Sequence, residues 1–221
     1  MSFQPSYAEP RAARRETTAV FGQTMFLVAV ALGFCVAGTV IGRDLSTGAA
    51  RACSFAGLGM LLVQGFLGGR IRALRVGPFA IGWLCVLALL IGLGLAPFVA
   101  YVATVDPSAL TTAIGGTALT VLGMAALGLA LSKDLAGWMR PLSYAVLGAV
   151  VISLLGLVFG GLGALNPLLS LLIFGLSALL IMVDFNYLRR HATEDDVVWL
   201  ATGIFVSIVN IFVSLLNLTS D

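Results

Sequence analysis

The sequence predicts an all-α, polytopic membrane protein with seven transmembrane helices. Apolar residues make up 60% of its 221 residues and charged residues only 10%, against about 25% charged in soluble domains. The apolar residues come in blocks of about 20, the length that crosses about 30 Å of hydrocarbon at 1.5 Å per residue. Seven such blocks use most of the chain. Residues 1–17 read as a cytoplasmic tail and 18–221 as one transmembrane domain, so any chemistry has to lie between helices.

The first block, Thr18–Ile41, follows the polar, arginine-bearing stretch Met1–Glu16. That stretch has the charge of a signal-peptide n-region, but the run behind it is too long for one, and a retained first helix is expected. The second block, Ala52–Leu67, runs into Gly65-xxx-Gly69, a small-residue face of the kind that lets helices approach closely in lipid. The third, Val76–Thr104, contains Pro97, which is expected to kink the helix or end it early near Tyr101. Thr111–Leu131 is the fourth block. The fifth, Leu142–Leu162, carries a second small-residue pair, Gly156-xxx-Gly160, and Gly160, Gly161, Gly163 and Pro167 suggest a flexible turn into the sixth, Pro167–Val183. The seventh, Val197–Leu218, is preceded by Thr193, a suitable N-cap, and by Glu194, Asp195 and Asp196, which suit the positive end of a helix dipole.

Charge in the connectors sets orientation through the positive-inside rule. With the N-terminus inside, Arg11, Arg14, Arg15, Arg70, Arg72, Arg75, Lys133, Arg140, Arg189 and Arg190 all fall on the cytoplasmic side, and only Arg43 and Arg51 fall outside. Seven spans then put the C-terminus outside, unless the last segment re-enters, although it is long enough to cross. Cys35, Cys53 and Cys85 have no metal-like spacing and read as small packing residues. His191 reads as a solvated loop residue able to respond to pH. No basic run with interleaved aromatics points to nucleic acid. The partners implied are the lipid bilayer and, through glycine-rich faces, another membrane protein.

Few polar residues interrupt the spans: Gln23, Gln64, Asp184, Ser207 and Asn210 stand out. A carboxylate at membrane depth costs roughly 2.5–3.5 kcal/mol, which makes such residues functional candidates. Asp184, at the end of the sixth run, is the one acid clearly within an apolar boundary. It either serves a site or sits at a helix end facing interfacial water. Ser207 is of a type that usually bonds its own helix backbone. Asn210 reads first as a bond to a neighbouring helix.

The segment Val183–Phe212 resembles the Bax inhibitor motif-containing transmembrane family, its bacterial members in particular. The resemblance rests on Asp184-Phe185-Asn186, on Arg190-His191-Ala192-Thr193-Glu194-Asp195, and on Phe205-Val206-Ser207-Ile208-Val209-Asn210-Ile211-Phe212. It implies helices packed around a central last helix, a bacterial plasma-membrane location, and a pH-sensitive calcium leak. It also implies two facing aspartates: Asp184 matches the first, while Ser207 stands where the family has the second. A serine removes the paired-carboxylate sensor, which depends on two like charges sharing a site. Asp184, Ser207 and Asn210 together offer three side-chain oxygens and one charge. Calcium prefers about six to eight oxygens, so the metal site implied at Asp184 is weak and water-assisted. Arg70 and Arg72, at the inner end of the second span, are the candidates for a gating ion pair with Asp184; the other reading is that they hold lipid headgroups.

Two functions follow. One is a cation leak with calcium as permeant ion, altered pH control and no cofactor. The other is a non-transporting regulator that binds a membrane protease or stress-response partner. An enzyme is not expected: an aspartyl protease needs two intramembrane aspartates, and a serine protease needs a base beside its serine.

Overall fold

The computed structural model describes the backbone of residues 9–158 and 165–220, and side chains within 18–156 and 165–220. The glycine turn at 160–163 and the tail before residue 9 lie outside the described residues. Seven helices follow one another: α1 (Glu9–Ile41), α2 (Thr47–Leu67), α3 (Pro78–Val105), α4 (Pro107–Ala130), α5 (Ala136–Val158), α6 (Leu165–Arg190) and α7 (Val197–Thr219). Each contains a stretch long and apolar enough to cross a membrane. The protein is an integral, multi-pass membrane protein.

Helix limits follow local chemistry. Ser46 caps α2 by accepting from the Ala49 N–H. Gly77, at φ +92°, makes the turn into α3 that an L side chain would resist. Asp106 caps α4 through Oδ1, which accepts from the Ser108 and Ala109 N–H groups at 3.1 and 3.0 Å. Pro107 occupies the first helical turn, where its missing N–H costs nothing. The Ser108 hydroxyl and these backbone donors hold the Asp106 carboxyl below the ordinary carboxylate range.

The helix limits differ from the expected ones at two places. Helix α3 does not end at Pro97 but continues to Val105. Ala96 and Val102, on either side of the proline, are both nearly inaccessible, so packing holds the helix together across the lost hydrogen bond. Helix α6 does not stop at Val183 but runs to Arg190. Its last turns bury Phe185, Asn186 and Leu188, and Arg189 and Arg190 close it at the negative dipole end.

The last helix is the axis of the bundle. Of its most apolar window 61% is buried, against 17–33% for α1 to α5, and it touches α1, α3, α4 and α6. Phe205, Ile204, Ile211 and Leu216 are essentially inaccessible on it. Glycines set the close crossings at positions other than Gly65 and Gly69, and Gly160 of the second expected pair lies outside the described residues. A Cβ at Gly38 of α1 would lie 2.6 Å from the Leu89 carbonyl oxygen of α3, and one at Gly92 would strike the Cys35 carbonyl. Around Gly65 and Gly69 there is open space instead, so that pair is not a packing face within the chain. Helix α2 rests on α3 and α5 on α6, while α2 and α5 hardly meet. Leu119, Leu122, Leu168 and Leu171 on the outer faces are exposed, as expected of surfaces bathed in lipid.

Candidate functional site

A cavity of about 1230 Å³ lies between α2, α5, α6 and α7. Its back wall is one face of α7. Gly203, Ser207, Asn210, Ser214 and Asn217 all line it, and their alternating four- and three-residue spacing stacks them on a single helical face. The stripe extends about 21 Å at 1.5 Å per residue. Leu58 and Leu61 of α2 and Leu147, Val150 and Leu154 of α5 face it with apolar side chains.

Asp184 enters this cavity from α6. It is 3% exposed, and its Oδ2 has no hydrogen-bond partner. It lies six residues before the end of α6, and Gly203 lies six residues after the start of α7. The antiparallel α6–α7 hairpin therefore brings the two to the same depth. A Cβ at Gly203 would stand 3.5 Å from Asp184 Oδ2, so the carboxylate faces the α7 backbone where that backbone is bare. The helix-end reading of Asp184 is thus overturned: α6 extends past it and turns it into the protein.

Ser207 is one helical turn beyond Gly203 on the same face. It is 1% exposed, and its hydroxyl is unpartnered. The expected bond to its own backbone is not made, although Thr24, Thr117 and Thr202 each make one to the carbonyl four residues back. Asn210 likewise does not bond a neighbouring helix: its Nδ2 is buried without a partner. Gln64 of α2 donates from Nε2 to Thr202 Oγ1 at 3.2 Å, leaving Oε1 unpartnered. Asp184, Ser207, Asn210 and Gln64 all line the cavity. A buried polar group without a partner costs roughly 1–3 kcal/mol, so four of them from three helices beside one cavity single it out as the candidate site.

The arginine-bearing end of the cavity carries an ion pair, with different members from those expected. Neither Arg70 nor Arg72 pairs with Asp184. Arg72 reaches Asp195 at 3.6 Å with both side chains largely in the open, an arrangement worth little. Arg70 lines the mouth and is exposed. The close pair is Arg75 with Asp196, at 2.6 Å, with the carboxylate side chain only 8% exposed. Asp196 is held from its other side by Thr193, whose N–H and Oγ donate to Oδ2 at 3.1 and 2.8 Å. The Thr193-x-x-Asp196 capping box was visible as a sequence pattern, whereas the partner arginine, 121 residues away, had no local signal. Ser214 and Asn217 continue the 207/210 spacing on the same face, and that spacing is the sequence signal for them.

A second cluster ties the α4–α5 connector to α6. Asn186 Oδ1 accepts from the Leu135 N–H at 3.0 Å, and its Nδ2 donates to the carbonyls of Gly128, Leu131 and Lys133 at 3.1–3.3 Å. Arg189 donates to the Leu131 carbonyl at 2.6 Å, and Arg190 to that of Ser132. His191 meets Asp134 at 2.8 Å. The Ala136 N–H, and then His191, hold the Asp134 carboxyl below its ordinary range. These contacts, with Arg75–Asp196, gather the connectors after α2, α4 and α6 at one end.

No group of three or more His, Cys, Asp or Glu side chains is placed to hold a metal among the described residues. The donors available to a cation in the cavity are one carboxylate, hydroxyls and amides, which suit weak, partly hydrated contact. A comparison with curated proteins finds no match. The family model described as inhibitor of apoptosis-promoting Bax1 matches residues 17–221. With that match covering nearly the whole chain, and with α7 at the centre and Asp184 facing it, the protein belongs to the Bax inhibitor-1 family.

Proposed function

We propose that the protein is a membrane leak path for cations, calcium among them, running along the polar face of α7. The observation that carries this reading is the meeting of Asp184 with the Gly203–Ser207–Asn210 face inside one cavity. A hydrated cation there exchanges part of its water shell for a carboxylate oxygen, a hydroxyl and amide oxygens. One negative charge attracts it, and so few ligands let it go, as conduction requires. The Arg75–Asp196 pair at the mouth closes the path, and its opening admits the ion. With Ser207 in place of a second acid, the pH response is that of a single carboxylate without a coupled partner.

The arginine-bearing end faces the cytoplasm in this reading, with the N-terminus inside, the C-terminus outside and a bacterial plasma membrane around the bundle. Single cysteines replacing Ser2 and Ser220 then label from opposite faces of intact cells, and labelling from one face removes the orientation.

The test of function is calcium flux into dye-loaded proteoliposomes. The unsubstituted protein admits calcium, and a folded Asp184→Asn variant loses most of the flux. Equal flux in the two proteins, or none in either, rejects the path and passes the reading to a regulator that acts through a membrane-protein partner.

A further inference from the structure

We propose that the gap between α2 and α5 is a lateral binding site for an anionic phospholipid, whose acyl chain lies in the cavity and whose phosphate meets Arg70 and Arg140. This goes beyond the leak reading and does not depend on it.

The bundle is incomplete on this side. Helix α5 rests on α6 and α2 on α3, and no broad helix interface joins α2 to α5. Across the gap stands one ring pair, Phe66 and Tyr144, stacked with centroids 6.1 Å apart and planes at 26°. Both rings are more than half exposed, and both also line the cavity. They form a narrow bridge that touches the bilayer on one side and the cavity on the other.

Beyond the bridge the α2 and α5 walls are mostly apolar, with Leu58 and Leu61 on α2 and Leu147, Val150 and Leu154 on α5 beside the small Ser54 and Ser153. From Tyr144 to Leu154 the groove extends about 15 Å along α5, about half of a 30 Å hydrocarbon core and so the depth of one leaflet's chains. An acyl chain fits both the length and the chemistry of this wall. It covers apolar surface that water would otherwise meet, and it supplies the missing wall opposite the polar face of α7.

Charge complementarity names the headgroup. Arg70, Arg75 and Arg140 line the same end of the cavity. Arg75 is matched by Asp196, Arg72 by Asp195, and Asp134 faces His191. Arg70 and Arg140 have no ion pair among the described residues, and both are exposed at the mouth. Two unmatched guanidiniums where an apolar groove reaches the headgroup level suit a phosphate with net negative charge. A zwitterionic headgroup brings its own cation into the same place.

Trp199 lines the cavity and reports on occupancy. In a Trp83→Phe, Trp138→Phe background it is the sole tryptophan. The protein is reconstituted in phosphatidylcholine nanodiscs doped with lipid brominated on the acyl chain, either phosphatidylglycerol or phosphatidylcholine. Brominated phosphatidylglycerol should quench Trp199 at a mole fraction roughly 25-fold lower than brominated phosphatidylcholine, since each arginine beside an anionic headgroup contributes roughly a factor of five. Arg70→Gln with Arg140→Gln should abolish the preference while leaving quenching by the neutral lipid in place. Equal quenching by the two lipids, a preference that survives the double substitution, or no quenching overturns the proposal. Should the tryptophan background fail to fold, native mass spectrometry of the unsubstituted protein decides. Retained phosphatidylglycerol that is lost in the double arginine variant supports the site, and equal retention in the two proteins overturns it.

Discussion

Asp184 stands out in the sequence because a carboxylate in an apolar run has an energetic cost, and that cost needs a reason. What it faces could not be read there. Gly203 contributes by lacking a side chain, and an absent side chain leaves no local pattern. Ser207 stands one turn above, buried and unpartnered, and at this position the chain departs from the two-aspartate arrangement its family resemblance implies. Ser207→Asp restores a second carboxylate on the same cavity face. A second charge near the path should raise calcium flux on the order of tenfold, equivalent to about 1.4 kcal/mol, a modest value for a charge pair in a partly hydrated site. The larger side chain risks overpacking at a cost of about 1–3 kcal/mol, so thermal stability is measured beside flux. A folded variant with unchanged flux would show that the two positions do not act on one ion.

Among the elements, α6 and α7 are the pair that builds the site, and α2 and α5 flank its open side. The seven-helix plan follows from block length alone, and the central place of α7 agrees with its unusual run of polar residues. Helix ends were less legible. Tertiary packing carries α3 across Pro97 and α6 past Val183, and a single-helix pattern contains neither effect. Gly65-xxx-Gly69 misled for the same reason: spacing shows that small residues share a face, but not whether a helix or a cavity lies opposite. Asn186 fastens α5 by capturing the connector before it, with one bond accepted and three carbonyls sharing its amide. Asn186→Ala removes these bonds from the Leu135 N–H and the Gly128 and Lys133 carbonyls, while the Leu131 carbonyl keeps its bond from Arg189, and should destabilise the detergent-solubilised protein by about 2–3 kcal/mol, at roughly 1 kcal/mol per lost bond. Thermal unfolding measures this. A loss no larger than that of a typical surface substitution, about 0.5 kcal/mol, would mean that α5 is held by its packing on α6 alone.

For the whole molecule, the arrangement amounts to a bundle closed on one side by α1, α3 and α4, opened toward α2 and α5, and bridged at the arginine-bearing end by the Arg75–Asp196 ion pair. The ion pairs at this end join connectors far apart in sequence, so the pair centred on Asp196, found in place of the expected Arg70 or Arg72 contact with Asp184, has no local signal. If ions move along the polar face of α7, a covalent block inside the cavity stops them. In a protein with Cys35, Cys53 and Cys85 replaced by alanine, Asn210→Cys places a thiol on that face and Ile211→Cys places one on the buried face beside it. Calcium flux into proteoliposomes is recorded before and after a small, membrane-impermeant, cationic thiol reagent. The reagent should stop flux through the Asn210→Cys protein and leave the Ile211→Cys protein unaffected. Flux that persists in a fully labelled Asn210→Cys protein would show that ions do not pass along this face.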